Sequence, residues 1–279
     1  MGFLGGIAIV CIVFALGGWA TGWLALRLRV LSIASPVFLG SGAYTFALLC
    51  RVAPVPVAAA GAILGSGALA VALLSARERV VGTDFALFSF CVQVSWLALV
   101  SNWDALTGGA LGLPGVPALW GATGLVGGLV TASAVAFAVA ALWRRERAAW
   151  FSVGAAVLAR SSELGHSIGL SPLRTDTQAG LLYGGVNGAA GVLLASYLGY
   201  VGPGSFDTSL SVLLVAIGVL SSVGRHGLLL GCAVLVAAPE LLRLGGLGTP
   251  RAAYLQLLLS GAVVALATVR RPPPVGAPS

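Results

Sequence analysis

The segment RSSELGHSIGLSP, Arg160–Pro172, gathers Arg160, Ser161, Ser162, Glu163 and His166 into one polar patch in an otherwise apolar chain. An imidazole with a carboxylate and hydroxyls nearby is raw material for acid–base or nucleophilic chemistry. The wider pattern does not develop it. His166 and His226 are the only histidines and form no HExxH pair, and no Ser-His-Asp pattern is evident. Lysine is absent, which excludes a phosphate-binding loop of the Walker type, and TGGALG at Thr107–Gly112 lacks the Lys-Ser/Thr that such a loop needs. Cys11, Cys50, Cys91 and Cys232 stand singly in apolar runs and read as small buried hydrophobes. The chain is therefore expected to be no enzyme, with no catalytic residue, metal or cofactor of its own.

The elements that carry these residues follow from composition. Of 279 residues 58% are hydrophobic and 8% charged, with mean hydropathy +1.03. Soluble domains carry about 25% charged residues. An all-α, polytopic integral membrane protein is expected, since backbone polar groups in a bilayer must be satisfied within helices. Apolar runs over 3–25, 33–50, 54–76, 82–100, 117–142, 176–200, 208–224, 227–242 and 252–269 predict about nine transmembrane helices, with eight or ten as alternatives. Residues 1–270 form one transmembrane domain, and 271–279 a short disordered cytoplasmic tail. The first run lacks a basic leader and an AxA-like site, so it reads as a retained span.

The net charge of +7 comes from arginines at the ends of apolar runs, which fits positive-inside topology better than nucleic-acid binding. With a cytoplasmic C-terminus, twelve of the fifteen arginines lie inside, and only Arg51, Arg243 and Arg251 lie outside. The connector 144–174 is then cytoplasmic. Its middle, from Ala148 to Gly169, reads as a helix stopped by Gly169 with Pro172 just beyond. It serves either as a tether between the two halves or as a docking element for a soluble partner.

Within the spans, Pro36, Pro54 and Pro56 mark the ends of the second and third, and SGAY at Ser41–Tyr44 places small residues mid-span. A broken helix lining a path and a tilted helix with glycine at a packing face both account for this. Asp84 and Glu240 lie near span ends, where snorkelling suffices. Gln93 and Asn187 lie deeper, either bonding a neighbouring helix or facing water. Arg225 and His226 fall in a predicted turn. Of the GxxxG spacings, Gly61/Gly65, Gly124/Gly128, Gly184/Gly188 and Gly227/Gly231, close packing is the default meaning.

Five segments carry a resemblance: FLGSGAYTFALL (Phe38–Leu49), GTDFALFSF (Gly82–Phe90), LTGGALGLPGVP (Leu106–Pro117), ASYLGYVGPGSF (Ala195–Phe206) and APELLR (Ala238–Arg243). In this order and spacing the chain resembles the permease subunits of branched-chain amino acid ABC importers and the related amide and urea importers. The resemblance implies a plasma-membrane subunit paired with a second, homologous permease, two ATP-binding subunits that hold ATP and Mg, and an extracytoplasmic solute-binding protein, with no nucleic-acid partner. It implies that Arg160, Glu163, Gly165, His166 and Gly169 dock on the ATPase. Substrate would pass Ser41, Gly42, Tyr44, Thr107, Gly108, Gly109 and Asn187. Two segments depart from the family pattern: RVLSIASPVF has Ser35 where the family has histidine, and LSSVGRHG (Leu220–Gly227) replaces a glycine-rich turn. If those segments line the path, the cargo would differ from leucine, isoleucine or valine, or the subunit would be degenerate; the resemblance itself implies a branched-chain amino acid or a related small polar or zwitterionic solute. An ion-gradient-driven transporter and a non-transporting scaffold are the rival expectations.

Overall fold

A computed structural model of the chain describes residues 2–80, 83–119, 171–221 and 225–237, with short pieces at 124, 127–128, 130–136, 239, 254, 256 and 258–263. The described chain is mostly helical: α1 (Gly2–Leu28), α2 (Ser35–Leu49), α3 (Val55–Ser75), α4 (Thr83–Asn102), the single turn α5 (Asp104–Thr107), α6 (Pro172–Leu198), α7 (Thr208–Ser221) and α8 (Arg225–Cys232). Two-residue strands β1 (Leu113–Pro114) and β2 (Tyr200–Val201) pair antiparallel.

Among the described residues, five stretches are long and apolar enough to cross a membrane: Gly5–Leu28, Val55–Ser75, Asp84–Asn102, Leu173–Leu198 and Pro203–Ser221. They coincide with five of the nine predicted spans. The second span is α2, whose 15 residues rise only about 22 Å at 1.5 Å per residue, short of the hydrocarbon thickness. The eighth is described over α8 and the π-helical turn Ala233–Ala237. The fifth and ninth spans are described only in pieces, and the tail 271–279 lies outside the described residues.

The prolines that marked span ends open helices instead of breaking them. Pro36 and Pro56 occupy the first turns of α2 and α3, and Pro172 that of α6, where a missing N–H has no intrahelical partner to lose. α6 thus starts four residues before the predicted span and runs unbroken to Gly199, whose φ of 65° closes it with an N–H to the Ala195 carbonyl at 2.9 Å. Arg225 begins α8 instead of lying in a turn.

α6 is the hub, packed against α1, α2 and α3, while α1 also packs along α7. Small residues allow these backbones to approach. A Cβ on Gly42 of α2 would lie 2.6 Å from the Gly188 Cα of α6, and one on Gly184 would meet the Gly67 Cα of α3 at 2.9 Å. The Gly184/Gly188 spacing is therefore a packing motif, whereas a Cβ on Gly65 meets nothing within 4 Å. Within a bilayer such contacts bind helices by van der Waals attraction and interhelical hydrogen bonds. Apolar side chains also face outward: Leu64 of α3 is 66% exposed, and Leu87, Phe90, Cys91, Val94 and Leu99 of α4 are exposed. Cys91 thus departs from the buried reading, while Cys232 keeps it. An apolar exterior around a polar-pinned interior suits lipid as solvent.

Candidate functional site

Polar contacts at both ends pin the described part of the bundle. Toward one end, Thr21 Oγ1 of α1 and Ser35 Oγ of α2 lie 2.7 Å apart, and Ser35 Oγ lies 2.7 Å from the Tyr183 hydroxyl of α6. Ser35 is thus a buried junction of three helices. Beside it, Ser66 Oγ of α3 lies 2.7 Å from the Phe38 carbonyl and 2.9 Å from the Gly184 carbonyl, joining α2, α3 and α6. The same end holds an ion pair: Arg77 Nη2, just past α3, is 2.7 Å from Asp176 Oδ1 in the first turns of α6. Their side chains are 13% and 3% exposed.

At the opposite end, β1 follows α4 and α5, and β2 follows α6, so their pairing brings these two loops together. Thr107 Oγ1 donates to the Val100 or Trp103 carbonyl, at 2.6 and 2.7 Å. Gly108 and Gly109 adopt φ of 72° and 55°, conformations that L side chains rarely adopt. The Thr-Gly-Gly segment is therefore a tight cap that reverses the chain. From the second loop, the 3₁₀ turn Pro203–Phe206 buries Phe206 between Tyr44 of α2 and Trp96 of α4, with ring centroids 6.2 and 6.1 Å away. Gln93 Nε2 of α4 donates to the Phe206 carbonyl at 3.0 Å and fixes the turn.

The predicted path residues occupy the bundle interior and this end, without lining one channel. Ser41 Oγ faces the Phe38 carbonyl and Ser66, Gly42 packs on α6, and Tyr44 meets the aromatic trio. Asn187 Nδ2 donates to its own helix at the Tyr183 carbonyl, 2.8 Å away. Its Oδ1 has no hydrogen-bond partner among the described residues, nor have the Tyr44 hydroxyl and Gln93 Oε1. All three residues are buried, on α6, α2 and α4 respectively. The predicted docking residues Arg160, Glu163, Gly165, His166 and Gly169, with most of 144–174, lie outside the described residues.

Ser35, Ser66, Tyr183, Arg77 and Asp176 were not singled out as site residues. An acid opening an apolar span, as Asp176 does, and a serine between glycines, as Ser66 is, were the available signals. Asp84 lies exposed in the first turn of α4, as expected of a span-end acid. Among the described residues no group of three His, Cys, Asp or Glu side chains is placed to hold a metal. In comparisons with known proteins, no family model, curated protein or solved structure matches the chain.

Proposed function

We propose that the chain is the membrane-spanning permease subunit of an ATP-driven importer that moves a branched-chain amino acid or a related small polar solute across the plasma membrane. The observation that carries this reading is the set of buried polar oxygens on Tyr44, Gln93 and Asn187 without partners among the described residues. A bilayer interior penalises such groups, and they persist where a polar guest or water meets them in another state. The motif resemblance supplies the type of transporter. In this reading the connector docks through Glu163 and Gly169 on one of two ATP-binding subunits, and ATP drives exchange between outward and inward access by binding one state more tightly. A second, homologous permease and an extracytoplasmic binding protein complete the assembly. Replacing Glu163 and Gly169 is expected to uncouple ATP hydrolysis from uptake while the chain still inserts; normal coupling in that variant reduces the segment to a tether.

One observation favours the ion-gradient alternative. Such a transporter needs an embedded carboxylate, and Asp176 is one, 2% exposed and paired with Arg77. The two readings separate on whether uptake requires ATP.

A further inference from the structure

Between the Pro203–Phe206 turn, the start of α7 and the 256–260 segment lies a cavity of about 220 Å³. The turn that lines it follows β2 directly. At about 30 Å³ per water it holds the volume of about seven waters, room for a guest of a few non-hydrogen atoms. Ser205 comes from the turn, Asp207 and Ser209 from the entry to α7, and Gln256 and Ser260 from a segment distant in sequence. Polar side chains thus converge from three parts of the chain inside a membrane bundle, where polar groups face a guest or water or else impose a cost.

The lining has a sign. Among the described residues that line it, Asp207 is the only charged side chain. Asp207 Oδ1 accepts hydrogen bonds from Ser209 Oγ at 2.6 Å and the Leu210 N–H at 3.1 Å, which caps α7. Both bonds end on Oδ1, and among the described residues Oδ2 accepts none, so it can receive a cationic donor. The hydroxyls of Ser205, Ser209 and Ser260 and the Gln256 amide line the same cavity, and Phe14 adds an aromatic side chain of the kind that attracts cations. An anion, or a zwitterion's carboxylate, finds no cationic partner among the described lining residues.

We propose that this cavity binds a small organic ammonium, held by Asp207 and the lining hydroxyl and amide oxygens against Phe14. The assignment goes beyond the transport reading and does not depend on it, because binding is measured on the purified chain. Titration calorimetry of the full chain in detergent with ethanolamine hydrochloride is expected to give saturable binding, with none for ethanol or acetate. Asp207→Asn keeps an oxygen that caps α7 but removes the charge, and is expected to weaken ethanolamine binding at least about tenfold with the melting temperature unchanged. Gln256→Leu, which leaves α7 untouched, is expected to weaken it as well and serves if Asp207→Asn melts early. Absence of saturable binding, equal binding by both variants, or displacement of ethanolamine by an equal concentration of sodium chloride would overturn the assignment.

Discussion

Replacing Asp176 by Asn tests how the bundle is held at the end where α3 and α6 meet. The Arg77–Asp176 contact is 2.7 Å, with 13% and 3% of the side chains exposed. At an effective dielectric of about 20, two unit charges at that distance attract by about 6 kcal/mol, and desolvation of both groups cancels much of it. The net value of the pair is therefore small, but losing one partner leaves the other charge buried, which costs about 3–5 kcal/mol. Arg77 stands at a helix end and can extend toward the headgroups, so the lower part of that range, about 3 kcal/mol, is expected for Asp176→Asn. Replacing both residues by methionine and leucine should be nearly neutral, since it removes both charges. Reversible unfolding in mixed micelles measures all three proteins. A loss below about 1 kcal/mol for Asp176→Asn, or a double variant as damaged as the single one, would refute the reasoning.

Other consequences are as specific. Gly184→Leu forces a side chain into Ser66, Gly67 and Ala70 of α3 and should cost at least about 1–3 kcal/mol of stability, whereas Gly65→Leu, with open space around it, should change the same unfolding curve little. Asn187→Ala removes one hydrogen bond within its own helix, worth about 0.6 kcal/mol in a membrane, yet should reduce solute uptake far more than it reduces stability. With the native cysteines replaced by alanine, Cys placed at Arg79 should react with an impermeant maleimide only from the cytoplasmic face, and Cys placed at Trp103 only from the opposite face.

Helix existence was legible in the sequence wherever an apolar run of about twenty residues stood between polar ends, as in α1, α3, α4, α6 and α7. Boundaries were less so, because Pro172 read as a residue beyond a helix end and turned out to start one. Hydropathy also ranked α2 as a full span, although Ala34 and Cys50 cap a helix of 15 residues. Of the candidate site, the burial of Tyr44 and Asn187 followed from their positions inside apolar runs. Their surroundings did not. Nothing local to Ser35 or Ser66 tells which helices they join, and Phe206 reaches Tyr44 and Trp96 only because the second outer loop folds back into the bundle. Partners separated by more than a hundred residues, as Ser66 and Gly184 are, depend on helix arrangement that a single sequence leaves open.

The most direct test of the central claim is uptake of labelled leucine and, in parallel, a labelled amide and urea, into vesicles carrying the assembled complex. Vesicles loaded with ATP are compared with vesicles lacking it, each with ion gradients collapsed by ionophores. Uptake of at least one solute that requires ATP and survives gradient collapse is the predicted result. Uptake that persists without ATP and stops when the gradients collapse would contradict the account and move the coupling role to Asp176.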